Sequence, residues 1–155
     1  MKGGIYMKVK DCMCENVCFV KPETKIYEVA RLMSEKHIGS IPVCNNDNCV
    51  CGIVTDRDII LRCIACDKDY KNTPISDIMT CNVCTCKEDD DMQNAENKMS
   101  QNQIRRLPVC DNNNKIVGIL TLGNLAQNGT ELGKQEVCTT IGNICNCNEQ
   151  TKNAE

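Results

Sequence analysis

The sequence holds a single histidine, His37, so acid–base or triad chemistry would have to use other groups. No Ser, Cys or Lys carries an identifiable activating base beside it, and the expectation is a protein that is not an enzyme. His37 falls at the end of a helical segment, where the C-terminal dipole favours a cation. Long apolar runs are missing as well. Val50 to Val54 and Ile59 to Leu61 are far short of the roughly 18 residues of a membrane span. No charged-then-apolar segment opens the chain, so the expected location is the cytoplasm. A basic stripe is also absent. The 18 Lys and Arg are scattered, the net charge is −3 and the pI about 5.3, which argues against nucleic acid as a partner.

Cysteine, by contrast, is abundant, with 15 residues. Disulfide scaffolds belong to short secreted chains, whereas an odd cysteine count without an export signal indicates a reducing compartment. Cys63-x-x-Cys66 and Cys81-x-x-Cys84 have metal-ligand spacing, and Cys12-x-Cys14, Cys49-x-Cys51, Cys84-x-Cys86 and Cys145-x-Cys147 add to them. An internal repeat argues the other way. Cys51 aligns with Val117, Cys12 with Ile78 and Cys86 with Val20, so cysteine alternates with aliphatic residues at positions expected to be buried. No metal site is therefore expected. A cysteine-based redox or metal sensor is the alternative reading.

The repeat appears when the chain is shifted by 66 positions, the separation of Val9 from Ile75, which aligns Val9–Ile60 with Ile75–Ala126 without a gap. Seventeen pairs are identical, among them Met13/Met79, Met33/Met99, Pro42/Pro108, Gly52/Gly118 and Thr55/Thr121. Others keep their character, such as Val9/Ile75, Ile41/Leu107 and Val54/Leu120. The two halves are expected to share one fold. In each, the apolar period alternates between strand and helix. In the first copy a short strand at Val17 to Val20 leads through Pro22 and an N-cap at Thr24 to a helix with Ile26, Val29, Ala30 and Met33 on one face. The second copy starts its helix with the acidic run Glu88 to Asp91, which suits the positive end of the helix dipole better than a metal site, ahead of Met92, Ala95 and Met99. Ile41 to Cys44, a turn at Asn45 to Asn48, and Val50 to Val54 read as a hairpin. A second helix begins near Thr55 and carries Ile59, Ile60, Cys63 and Ile64.

The expected class is therefore α/β (α+β), with two β-α-β-β-α copies paired by a pseudo-twofold axis and a C-terminal helix. Residues 1–6 read as an N-terminal extension, 7–70 and 71–128 as the repeats, and 129–155 as a terminal helix with a polar tail. In that helix Leu132, Ile141, Ile144 and Cys145 fall at roughly helical spacing.

Ile38-Gly39-Ser40-Ile41-Pro42-Val43 followed by Gly52-Ile53-Val54-Thr55-Asp56-Arg57-Asp58 resembles the signature of the cystathionine β-synthase (CBS) domain. Ile104-Arg105-Arg106-Leu107-Pro108-Val109 followed by Gly118-Ile119-Leu120-Thr121-Leu122-Gly123-Asn124 resembles it again. The resemblance implies a stand-alone tandem pair, or Bateman module. It implies a regulatory module, homodimeric, that needs no cofactor and binds an adenosine-containing ligand (AMP, ADP, ATP or S-adenosylmethionine) in clefts lined by both copies. Carried over by position, the main cleft takes Thr55 and Asp58 with Cys84, Cys86, Ile104, Arg105, Arg106 and Pro108. Such a site needs a carboxylate for ribose hydroxyls and guanidinium groups for phosphate. The second takes Thr121 and Asn124 with Cys18, Val20, Ile38, Gly39, Ser40 and Pro42. There Asn124 replaces the ribose Asp and Gly39-Ser40 replaces the arginines, so weaker binding is expected. Thr55 and Asp58 would also serve as helix caps whatever the protein does. A purely structural dimerisation module is the third reading.

Overall fold

The computed structural model describes residues 6–128 and 134–145. Its elements run α1 (Val9–Cys12), α2 (Ile26–Lys36), β1 (Ser40–Cys44), β2 (Val50–Thr55), α3 (Asp56–Asp58), a π-helical stretch (Ile59–Ile64), a 3-10 turn (Ile75–Asp77), β3 (Cys86–Lys87), α4 (Met92–Asn102), β4 (Arg106–Cys110), β5 (Ile116–Thr121), α5 (Leu122–Gln127) and α6 (Lys134–Cys145). The chain divides into two compact units. One comprises Asn16–Val83 with Cys110–Val117; the other comprises the described residues up to Glu15, Cys84–Val109, and the described residues from Gly118 onward.

In the unit built around Asn16–Val83, α2 starts at an N-cap on Lys25, whose N–H donates to Glu28 Oε2 at 3.0 Å. The expected cap, Thr24, is engaged elsewhere: its hydroxyl accepts the Lys21 N–H at 3.2 Å and closes the turn around Pro22. Ile26, Val29 and Met33 share one face of α2 and are buried against Ile41, Val43 and Val54. The helix ends at His37, which is exposed and left-handed with φ 53°. β1 and β2 form the expected antiparallel hairpin, Ser40 opposite Thr55, with a bulge at Val43/Cys44. The strand expected over Val17 to Val20 is reduced to one parallel bridge between Val20 and Val43.

The same unit is completed by a segment of the second copy. Ile75 and Ile78 lie in its core at 0% and 1% exposure, and Thr80 and Ile53 exchange two backbone hydrogen bonds of 2.9 and 3.0 Å. Met79 covers Gly52 so closely that a Cβ there would sit 2.4 Å from its sulfur. Burial of Ile75 and Ile78 contributes about 1.5–3 kcal/mol each, enough to fix where this arm packs.

The other unit repeats this arrangement with the roles of the copies exchanged. Asp91 caps α4, accepting the Gln93 N–H at 3.1 Å, as the acidic run suggested, and Met92, Ala95 and Met99 are buried. Gln103, aligned with His37, ends α4 with φ 50°. The places of Ile75 and Ile78 are taken by the aligned Val9 and Cys12, both buried. Cys14 and Ile119 exchange hydrogen bonds of 2.9 and 3.0 Å, and Met13 lies on Gly118. Each hairpin thus receives the arm that precedes the other copy. Here the strands hydrogen-bond in the order β3-β4-β5.

Two helical expectations change. The segment after Asp58 winds with an i→i+5 bond from Ala65 N–H to Ile60 O, and of its residues only Cys63 is fully buried, while Ile60 and Ile64 are each 58% exposed. The terminal helix α6 packs on α4 and α5 through Val137, Thr140 and Ile144. Ile141 is only partly buried, Cys145 is exposed, and Leu132 lies outside the described residues.

Candidate functional site

Thr55 is the last residue of β2 and the N-cap of α3, with extended backbone. Its hydroxyl accepts the Asp58 N–H at 3.1 Å, while its own N–H and O–H both donate to Asp58 Oδ2 at 2.9 Å. The capping role is therefore real and occupies one carboxylate oxygen. Oδ1 stands apart from that box, 3.6 Å from Arg62 Nε, and the Asp58 side chain keeps 16% exposure. Arg62 is itself held at its guanidinium tip, donating to Ile78 O at 2.9 Å and Thr80 Oγ1 at 3.2 Å. What the cap leaves at the mouth of α3 is one carboxylate oxygen, facing Arg62.

Thr121 and Asn124 reproduce the box on α5. The Thr121 N–H and O–H donate to Asn124 Oδ1 at 2.9 Å, and the Asn124 N–H donates to Thr121 Oγ1 at 3.2 Å. Two donors converging on one atom require oxygen there, which fixes the amide orientation. Asn124 therefore presents Nδ2, a donor, where Asp58 presents Oδ1, an acceptor. Its single oxygen is already engaged by the cap, which sharpens the sequence expectation of a weaker acceptor.

The strand flanking each box is also the same. Asp56 N–H donates to Gly39 O, and the aligned Leu122 N–H donates to Arg105 O, both at 3.1 Å. Ser40 and Pro42 are buried while Ile38 and Gly39 are partly exposed; in the other copy Pro108 is buried, Ile104 and Arg106 are partly exposed and Arg105 is exposed. Thr55 and Asp58 thus share a unit with Ile38–Pro42, and Thr121 and Asn124 share one with Ile104–Pro108. Cys86 is buried on β3, and Cys84, Cys18 and Val20 are partly buried.

The cysteines follow the repeat. Cys12, Cys44, Cys63, Cys86 and Cys110 are buried, and Cys51 is partly so. Burial, then the neighbouring Cys51 thiol, pushes Cys44 up to about 12; burial likewise raises Cys51 and Cys63. Protonated thiols are poor nucleophiles and poor metal ligands. Cys63 is buried while Cys66 is exposed, so that Cys-x-x-Cys does not converge. Among the described residues no group of three or more His, Cys, Asp or Glu is placed to hold a metal ion, and no helix is long and apolar enough to cross a membrane.

Two α/β copies in tandem, each ending its hairpin in a threonine-capped helix, define a repeat protein with the same box at two equivalent places. The model of the CBS domain family matches residues 9–64 and 75–129, and the chain belongs to that family as a tandem pair. The CBS domain-containing protein YhcV of Bacillus subtilis is 38% identical over 140 residues, covering 90% of this chain and 96% of that one. Among solved structures, CBSX2 in complex with AMP is 26% identical at a TM-score of 0.68, covering 81% of this chain and 97% of that one. The CBS domain pair of protein MJ0100, in complex with 5'-methylthioadenosine and S-adenosyl-L-methionine, is 28% identical at 0.69, covering 79% and 94%. Hypoxic Response Protein I with two coordinated zinc ions is 27% identical at 0.72, covering 78% and 98%.

Proposed function

We propose that this chain is a non-catalytic regulatory module that binds an adenosine-containing ligand, namely AMP, ADP, ATP or S-adenosylmethionine. The observation that carries this reading is Asp58. Its capping box uses Oδ2 and leaves Oδ1 as an anionic acceptor, the group a ribose diol requires. The AMP and S-adenosylmethionine complexes of the structural relatives support the ligand class. In this reading Thr55 and Asp58 hold the ribose, Cys84, Cys86, Ile104 and Pro108 contribute the walls, and Arg105 and Arg106 meet the phosphate through guanidinium forks. The second site, at Thr121 and Asn124 with Cys18, Val20, Ile38, Gly39, Ser40 and Pro42, binds more weakly, because it lacks both the acceptor and the arginines. The protein works in the cytoplasm as a homodimer, for which Ile60, Leu61 and Ile64, 58%, 48% and 58% exposed, offer an apolar face.

The test is a thermal-shift and calorimetry panel of AMP, ADP, ATP, S-adenosylmethionine, NAD and GTP on the wild type and Asp58→Ala. Ligand at 100 times Kd stabilises the native state by about 2.7 kcal/mol. An adenosine ligand should do so in the wild type and fail to in the variant. No shift with any nucleotide removes the proposal.

A further inference from the structure

Glu96 is the one position where the repeat exchanges a small apolar residue for a buried charge. Its aligned partner in α2 is Ala30. Glu96 lies mid-way along α4, only 2% exposed, and its Oε1 has no hydrogen-bond partner. An uncompensated carboxylate in such a place is costly, and proteins resolve the cost by pairing the group or neutralising it. Among the described residues of α4, α5, α6 and the arm, no base pairs with it. α6 packs on α4 with Val137, Thr140 and Ile144 inward, and its charged residues are Lys134, which is exposed, and Glu136. α5, which also packs on α6, has no charged residue. The only base of α4, Lys98, donates to Thr85 O at 3.0 Å and faces Asp90 at 3.7 Å. Lys8 and Lys10 of the arm are held by Asp89 at 3.3 and 2.8 Å. Among the described residues the charges that act on Glu96 are Glu136 from α6 and Asp91 from the start of α4, both negative.

We propose that Glu96 makes the docking of α6 on α4 depend on a proton: the helix packs closely while Glu96 is neutral and loosens when the carboxylate ionises. Burial first, then Glu136 and Asp91, raises the proton affinity of Glu96 in the docked state. A carboxyl raised on docking gives stability that is complete below its ordinary range and is lost as pH climbs to the raised value. The C-terminal helix is thus held more firmly in acid than at neutral pH, without any ligand.

The experiment is amide hydrogen exchange on the full chain between pH 5 and 8, corrected for intrinsic rates. In the wild type, protection of Lys134–Cys145 should fall with rising pH, by at most about tenfold per unit, while α2 in the other unit keeps its protection. Glu96→Gln, uncharged and of the same shape, should hold α6 at high protection independent of pH. Glu136→Gln should move the decline to lower pH. Protection of α6 that is flat in the wild type, a slope retained in Glu96→Gln, or an equal slope in α2 would each overturn the proposal.

Discussion

Replacing Gly118 with alanine tests the exchange of arms between the two copies. The new methyl would lie 2.6 Å from Met13 Sδ and 3.0 Å from the backbone oxygen of Cys14. The sulfur ends a flexible chain and can move, but Cys14 O is held by the Ile119 N–H at 3.0 Å. Overpacking costs about 1–3 kcal/mol, and weakening that hydrogen bond adds about 1 kcal/mol, so urea unfolding should show a loss of about 2–4 kcal/mol. At Gly52 the three atoms nearest a new methyl all belong to the flexible Met79 side chain, so Gly52→Ala should cost less. The decisive assay is a double-mutant cycle. Gly118→Ala should couple to Met13→Ala by about 0.5–3 kcal/mol, with the methionine truncation relieving part of the clash, and should be additive with Met79→Ala. Coupling of Gly118→Ala to Met79→Ala in place of Met13→Ala would refute the exchange.

Two other outcomes follow from the same geometry. At pH 8 iodoacetamide should label the exposed Cys14, Cys66 and Cys138, whereas Cys44, buried and pushed up to about 12, should stay unlabelled in peptide mass spectra until the chain unfolds; equal rates for Cys44 and Cys66 would contradict this. Thr121→Ala removes the hydroxyl that accepts the Asn124 N–H and donates to its Oδ1, and should cost about 0.5–2 kcal/mol in urea unfolding; an unchanged midpoint would show that the box does not hold α5.

The repeat was legible because the paired residues do the same work twice. Ile26/Met92, Met33/Met99 and Val54/Leu120 are buried in both copies, as their spacing indicated. The exchange of arms was not legible, because an alignment of Val9 with Ile75 reads the same whichever hairpin each arm covers. The cap at Lys25 was missed because Thr24, the better capping residue, is taken by the Lys21 N–H, a choice made by the turn at Pro22. Ile60 and Ile64 were read as apolar residues of the second helix; that segment winds as a π-helix and leaves both exposed. For the site, Thr-x-x-Asp was readable as a motif. Which carboxylate oxygen remains for a ligand, and that Asn124 has already committed its oxygen, needed the hydrogen bonds. The buried Glu96 had a signal in its aligned Ala30, but only the packing of α6 gives it meaning.

The most direct measurement is calorimetric titration of AMP and S-adenosylmethionine into the wild type and Asp58→Asn. The asparagine preserves the cap through its own oxygen, as Asn124 does, and replaces the outward acceptor, together with its half-exposed pairing to Arg62, with a donor. Loss of one charge-assisted hydrogen bond costs about 1.5–3 kcal/mol, so affinity should fall by about 10- to 150-fold with unfolding stability nearly unchanged. Equal affinity in the two proteins, or no heat from either ligand in the wild type, would contradict the account.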